Sequence, residues 1–185
     1  MTVSTIDSRI ALVVIDLQKG IVSDRVAHVI PPTAALTAAF REHSLPVVLV
    51  NVTGRAPGRT EARGGGMATE IPAGWADIID ELGTQPTDHL ITKRRRSAFH
   101  DTGLDTLLRD LAVTQVVLAG VSTSAGVEST ARSAHDHGYH VVVATDAMAD
   151  HDASSHRYSV AHVFPKLGET ASSAEIIDLL ARSRA

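Results

Sequence analysis

The sequence predicts a three-layer α/β/α fold, in which helices cover both faces of a doubly wound, mainly parallel sheet of about five or six strands. Short apolar runs rich in β-branched residues alternate along the chain with longer segments that have helical spacing. The runs contain no polar interruption, which is typical of parallel strands buried on both faces. Strands that alternate with helices through short connections form parallel sheets with right-handed crossovers.

Five segments are predicted to be strands. The strongest are residues 10–15 (IALVVI), 46–51 (PVVLVN), 116–119 (VVLA) and 141–144 (VVVA). Residues 89–92 (HLIT) are a weaker candidate, which lies between the second and third of these runs. Strands of this kind, joined by crossovers, end at the same edge of the sheet, where ligands of such folds bind.

Five helices are predicted between and after the strands. Residues 31–43 begin with two prolines, which suit a first helical turn, and continue with apolar residues at helical spacing. Residues 103–111 carry four leucines on a similar pattern, and residues 125–137 are rich in small side chains that would let a helix lie close to the sheet. The last two helices are predicted over 154–163 and 174–181.

Length and composition limit the classes of protein to which the chain can belong. Its 185 residues fit one domain, predicted over residues 1–185. The net charge of -4 and the 3% aromatic content disfavour nucleic acid as a partner. Residues 1–9 lack the apolar core of a signal peptide, and no apolar run approaches the ~20 residues that span a bilayer. We therefore expect a cytoplasmic protein with no membrane partner.

Polar residues follow the predicted strands at the edge where a ligand would bind. Asp16 follows the first run, Asn51 ends the second, and Lys93 follows the weak strand. A carboxylate at the end of a buried strand has a raised pKa unless a cation lies nearby. Two other interpretations stay open: Asp16 could be a turn or helix-capping residue, and residues 93–96 (KRRR) could be a solvated basic surface.

Residues 120–132 (GVSTSAGVESTAR) lead from an apolar run into a predicted helix through a turn of small side chains. Backbone N–H groups at a helix start have no partner within the helix, and they could bind an oxyanion or a carboxylate. The alternative is close packing of strand and helix with no ligand. Ser122, Thr123 and Ser124 could act as nucleophiles, although helix-capping hydroxyls are the favoured interpretation.

These segments together resemble the isochorismatase-like hydrolases. The resemblance lies in Asp16 after the first strand, in the pattern Lys-x-x-x-Ser-Ala-Phe-x-x-Thr-x-Leu over 93–104, and in residues 120–132. It implies that Asp16 is the catalytic acid or base, that Lys93 is its partner, and that Gly126 occupies the position of the nucleophile. It also implies a cis peptide bond before Ser122 and a homo-oligomer, dimer or tetramer.

The predicted pocket contains further residues. Arginine binds carboxylates through bidentate geometry, so Arg55 in the Gly- and Arg-rich loop 54–66 is a candidate to hold a carboxylate-bearing substrate. A solvated loop is the alternative. The complete set of predicted substrate-binding residues is Gln18, Asn51, Arg55, Val121, Ser122 and Ala125.

The chain departs from the resembling proteins in ways that bear on its chemistry. It contains no cysteine, so it has no thiol to form a thioester and no disulfide. Where true isochorismatases carry Tyr-Ala-His, this chain has Ser-Thr-Ser at 122–124. Residues 51–66 contain no histidine, so the metal motif of the nicotinamidases is missing. His135 and His137 have poor spacing for chelation on a helix, and no metal or cofactor is predicted.

Two functions follow as expectations. The first is a hydrolase of a small, carboxylate-bearing metabolite that uses the Asp16 and Lys93 pair without covalent thiol catalysis. The second is a catalytically inactive small-molecule-binding or regulatory relic of a cysteine amidohydrolase. His151 and His156 are expected on the surface, outside the site.

Overall fold

The structure, a computed structural model, describes residues 3–54, 56–61 and 71–184. Its centre is a six-stranded sheet in the order β3-β2-β1-β4-β5-β6, in which every neighbouring pair is parallel. The strands are β1 (Ile10–Ile15), β2 (Val47–Val52), β3 (His89–Lys93), β4 (Gln115–Val121), β5 (His140–Ala149) and β6 (Glu169–Ala171). The predicted α/β fold with a parallel sheet is confirmed.

Helices cover both faces of this sheet and form two separate apolar cores. The α-helices are α1 (Ile30–Glu42), α2 (Leu104–Asp110), α3 (Glu128–Asp136), α4 (Ala153–Tyr158) and α5 (Ser173–Ser183). Leu36 and Phe40 of α1 share one core with Ile176 of α5. Leu108 of α2 and Ala131 of α3 belong to the core on the opposite face. The arrangement therefore has the three predicted layers.

Several boundaries differ from the sequence predictions. β6 was not predicted, because Glu169-Thr170-Ala171 contains no apolar run, and it pairs with β5 only at the edge of the sheet. The predicted helix 125–137 is entered through a wide π-type turn, Thr123–Val127, before α3 begins. The predicted helix 154–163 is α4 followed by a second π-type turn, Ser159–Val163. No helix in the described part of the chain is long and apolar enough to cross a membrane.

The register of the strands aligns the ends that carry the candidate residues. Ile15 of β1 pairs with Val50 of β2 on one side and with Gly120 of β4 on the other. Val52 of β2 pairs with Lys93 of β3. The residues that follow β1 and end β3 and β4 therefore lie along one edge of the sheet.

Gly120 makes the contact between β1 and β4 possible at this edge. Its φ is +112°, and a Cβ at this position would lie 2.0 Å from the Ile15 carbonyl oxygen. A side chain at position 120 would strain the positive φ and would displace the end of β1 or β4, because the Ile15 carbonyl oxygen is part of the backbone.

We therefore expect Gly120→Ala to lower the free energy of unfolding by more than about 4 kcal/mol, measured by urea denaturation. Gly83→Ala is the matched control, because Gly83 also has a positive φ of +53° but no atom within 4 Å of the added Cβ. That control should lose about 1–2 kcal/mol. Equal losses in the two variants would show that the contact with Ile15 is not the constraint.

Candidate active site

Asp16 lies directly beyond β1 with its side chain turned into the protein. Only 6% of the residue is exposed, and its φ is +54°, in the left-handed region that Asp tolerates better than most residues. Its backbone N–H donates to the Val50 carbonyl at 2.8 Å, which fixes the residue to the end of β2. The sequence placed Asp16 at this edge correctly.

Lys93, the last residue of β3, brings the opposite charge to Asp16. Its Nζ donates to Asp16 Oδ2 at 2.7 Å and to the Arg95 carbonyl at 3.2 Å. Lys93 is 2% exposed, so the ion pair is shielded from bulk water, and dissolved salt weakens it little. The predicted contact between Asp16 and Lys93 is confirmed, and the first residue of the KRRR run is not part of a solvated surface.

Burial and the lysine act on Asp16 in opposite directions. Burial raises the pKa of the Asp16 carboxyl to about 6, while the charge and the hydrogen bond of Lys93 oppose that rise. Asp16 Oδ1 is buried and has no hydrogen-bond partner among the described residues. A buried carboxyl oxygen without a partner is unfavourable unless a ligand or water completes it. Asp16 can therefore exchange a proton close to neutral pH.

The pair opens into a cavity of about 430 Å³ at the carboxyl edge of the sheet. The predicted residues that line it are Asp16, Lys93, Val121, Ser122, Ala125 and Gly126. Arg95 and Arg96 also line it, together with Gly54, Ala56, Gly58 and Thr60 of the loop after β2. Arg55, the predicted carboxylate ligand, lies outside the described residues.

Gly126 lines the cavity directly next to the acid. A Cβ built on Gly126 would lie 3.3 Å from Asp16 Oδ2, 3.0 Å from Ile15 Cγ2 and 3.3 Å from the Val121 carbonyl oxygen. The contact with Ile15 Cγ2 is tight, so a water or a substrate atom would lie in the cavity beside Gly126 and not at the Cβ position itself. The predicted nucleophile position is thus beside the acid, although it carries no side chain.

The turn before Gly126 has the predicted backbone, but two of its predicted anion-binding N–H groups are already hydrogen-bonded. The peptide bond between Val121 and Ser122 is cis, as predicted. However, the Ser124 N–H donates to Asp150 Oδ2 at 2.8 Å, and the Ala125 N–H donates to the Ser122 carbonyl at 3.1 Å. These two donors at the helix start are therefore satisfied within the protein and are not available to a bound anion.

The hydroxyl groups of the turn make contacts that the sequence did not predict. The Ser122 side chain caps no N–H group of the π-type turn. Thr123 Oγ1 lies 2.8 Å from His156 Nδ1, and Ser124 Oγ donates to Asp150 Oδ2 at 2.7 Å. His156 is half-buried, whereas His151 is exposed as expected. Asp150 and His156 were missed because they lie 26 and 33 residues from their partners.

Gln18 and Asn51 are not among the described residues that line the cavity. The Gln18 amide donates to the Val52 and Trp75 carbonyls at 3.2 and 3.3 Å, and its oxygen accepts from the Val52 N–H at 2.7 Å. Asn51 Nδ2 donates to the Ala76 carbonyl at 2.9 Å. The two amides hold the segment 75–76 against β2, while Asn51 Oδ1 is buried without a hydrogen-bond partner among the described residues. That Gln18 and Asn51 bind substrate stays a prediction.

Three comparisons with known proteins agree with this geometry. A family model described as the isochorismatase domain matches residues 10–175. The uncharacterised isochorismatase family protein YwoC of Bacillus subtilis (strain 168) is 38% identical over 175 residues, which are 91% of this chain and 92% of that protein. A solved isochorismatase family protein from Burkholderia thailandensis is 35% identical with a TM-score of 0.86, over 96% of this chain and 98% of that one.

A third neighbour has a named activity. The structure of N-carbamoylsarcosine amidase from Thermoplasma acidophilum is 27% identical with a TM-score of 0.76, and it covers 89% of this chain and 96% of its own.

The opposing effects of burial and Lys93 on Asp16 give a test of the ion pair. Lys93→Met removes the cation, so we expect the pKa of Asp16 to rise above about 6. Removal of one partner of a buried pair destabilises proteins by about 3–5 kcal/mol. Because protonated Asp16 needs no cation, the loss should be largest at pH 8 and should shrink as the pH falls through the new pKa. Urea unfolding at several pH values between 5 and 8 measures the loss of stability and its dependence on pH.

The double variant Asp16→Asn/Lys93→Met is the control, because it leaves no charge in the pair. Its own free energy of unfolding should change less between pH 5 and pH 8 than that of Lys93→Met, because no carboxyl titrates at position 16. If Lys93→Met destabilised the protein equally at pH 5 and at pH 8, Lys93 would not be the cation that stabilises ionised Asp16.

Proposed function

Because this chain belongs to the isochorismatase family, we propose that it is a hydrolase of a small, carboxylate-bearing metabolite that works without a covalent thiol intermediate. The observation that carries the proposal is the buried pair of Asp16 and Lys93, joined at 2.7 Å in the cavity that Gly126 also lines. The chain has no cysteine, so the pair is the chemical group that this cavity offers in place of a thiol.

Asp16 is proposed to act as the general base on a water molecule. A carboxyl with a pKa of about 6 is mostly ionised at neutral pH and is still basic enough to accept a proton. As the water oxygen attacks the substrate carbon, its proton moves to Asp16. The leaving group takes a proton from the Lys93 ammonium, and transfer from Asp16 to Lys93 restores both groups. The space beside Gly126 is where the water or the attacked atom would lie.

A second route uses the same pair in the opposite protonation state. Protonated Asp16 would donate its proton to the terminal carbon of a vinyl ether, and water would add to the oxocarbenium ion and return a proton to Asp16. The hemiketal that is formed would then break its C–O bond to give a carbonyl product and an alcohol. The raised pKa of Asp16 supports this route at acidic pH. The base route therefore predicts that activity rises with pH through the pKa of Asp16, and the acid route predicts that it falls. The base route is the one proposed for neutral solution.

The charges that line the cavity favour an anionic substrate. Arg95 and Arg96 line it, and Asp16, already paired with Lys93, is the single acidic residue among its described lining residues. Guanidinium groups bind carboxylates in bidentate geometry. The neighbour named N-carbamoylsarcosine amidase adds amides and ureides to the bonds to be tested. A cytoplasmic location and a homo-oligomer stay predictions.

The deciding experiment is a hydrolysis screen with wild type and Asp16→Asn. The panel contains amides, ureides and vinyl ethers, each with and without a carboxylate. We expect turnover of carboxylate members by the wild type, a loss of at least about 100-fold in kcat/KM for Asp16→Asn, and no effect of thiol-directed reagents. The logarithm of kcat/KM should rise with pH and level off above an apparent pKa of about 6.

Other outcomes of this screen have defined meanings. A pH profile that falls above about 6 would assign the acid route. Turnover that survives in Asp16→Asn would reject the proposed mechanism. Binding of carboxylates without any turnover, measured by calorimetry, would identify the inactive binding relic instead.

The carboxylate preference is tested by two arginines of the same basic run. Arg94 and Arg96 are both exposed, but only Arg96 is among the described residues that line the cavity. Arg96→Ala should raise KM for carboxylate substrates by about tenfold, which corresponds to the loss of one charge-assisted contact. Arg94→Ala should leave KM within about twofold of the wild type. Equal effects on substrates with and without the carboxylate would contradict the assignment.

A further inference from the structure

The turn Ser122–Gly126 forms one wall of the catalytic cavity, and it is held from outside by the segment that follows β5. Ser122, Ala125 and Gly126 line the cavity. The two residues between them, Thr123 and Ser124, instead contact the segment after β5. The wall therefore has one face toward the substrate space and another toward a separate set of side chains.

Asp150 provides the first of these contacts. Its Oδ2 accepts from the Ser124 N–H at 2.8 Å and from Ser124 Oγ at 2.7 Å. Its Oδ1 accepts from the Asp152 N–H at 3.2 Å, so both carboxylate oxygens are used. A negative charge at the start of a helical segment is also favourable to the helix dipole. Asp150 thus fixes the backbone of the turn at Ser124.

His156 provides the second contact, one residue earlier in the turn. Its Nδ1 lies 2.8 Å from the hydroxyl of Thr123, which is 0% exposed. Burial lowers the pKa of His156, His28 and Arg157 lower it further, and Asp150 opposes them. A buried hydroxyl that lost this partner would be left without a hydrogen bond, which is unfavourable.

The outer residues are themselves held in place. Asp152 caps α4 by accepting from the N–H groups of Ser154 and Ser155 at 3.0 and 3.1 Å. This cap fixes the first turn of α4, which carries His156. The same segment therefore holds the turn at two adjacent residues.

We infer that Asp150 and His156 are positioning residues that keep the Ser122–Gly126 wall at its distance from Asp16. The inference rests on the proposed function, because its catalytic consequence requires chemistry at Asp16. Small displacements of groups around a reacting centre affect rate more than binding. Loss of either contact should therefore lower kcat by about tenfold or more and change KM by less than about threefold.

The test uses variants that remove or retain each contact in the full chain. Thr123→Val removes the hydroxyl at nearly constant shape, and Thr123→Ser retains it. Asp150→Ala removes the carboxylate, and Asp150→Asn retains an acceptor for the Ser124 N–H. His156→Leu removes the imidazole nitrogen, and His156→Asn retains a polar atom near the place of Nδ1. His151→Leu is the matched control, because His151 is an exposed histidine of the same segment.

Two readouts are measured on every variant. The first is kcat and KM with the best substrate of the hydrolysis screen. The second is hydrogen exchange of the backbone amides of residues 122–127, with those of β1 as the internal reference. We expect the three removing variants to lose kcat and to exchange at 122–127 at least about tenfold faster, with β1 unchanged. The retaining variants and His151→Leu should resemble the wild type.

The outcomes separate this inference from the proposed function. If wild type turns over substrate in an Asp16-dependent way but Thr123→Val and Asp150→Ala keep wild-type kcat, the positioning role is wrong. If wild type turns over nothing, the proposed function fails, and unchanged exchange at 122–127 would then also overturn the positioning role. If Asp150→Ala does not fold, Thr123→Val and His156→Leu decide the question.

Discussion

The site depends on one buried ion pair, between Asp16 and Lys93. Neither charge is stable alone in this place, because burial of an ionised group without a partner is strongly unfavourable. Asp16 follows β1 and Lys93 ends β3, and these two strands are not neighbours, since β2 lies between them. The pair can form because parallel strands end at one edge of the sheet, so that two side chains 77 residues apart meet there. Fold and chemistry are thus linked through the direction of the strands.

The parts of this arrangement that could be predicted are those encoded by local pattern. The apolar run 10–15 is β1 residue for residue, because a doubly buried strand tolerates no polar side chain. The edge strand β6 has no such requirement on its outer side, and its three residues carry no pattern. Asp16 and Lys93 were found because each follows or ends a strand on the ligand-binding edge.

The contacts that could not be predicted are those that join distant segments through single polar atoms. Gln18 has the sequence position of a ligand-binding residue, but its amide is used entirely by the backbone at Val52 and Trp75. Asp150 and His156 have no local feature that distinguishes them from other Asp and His residues of the chain. The acceptor of an N–H group at a helix start is set by the tertiary structure and cannot be read from the local sequence. At the predicted anion site one such group, the Ser124 N–H, donates to Asp150.

The absence of a side chain at Gly126 explains why such polar contacts matter for the wall of the cavity. Because Gly126 contributes no side chain to packing, hydrogen bonds to the backbone and hydroxyl groups of the turn help to set its position. Thr130 supplies a further hydrogen bond: its Oγ1 donates to the Gly126 carbonyl at 2.7 Å and accepts from the Ala98 N–H at 3.1 Å. Because Ala98 follows the basic run that begins at Lys93, Thr130 connects the wall to the chain segment of the lysine. The distance between the wall and the ion pair is therefore fixed from both sides by hydrogen bonds, which supports the proposal that a water or substrate atom beside Gly126 meets Asp16 in a defined geometry.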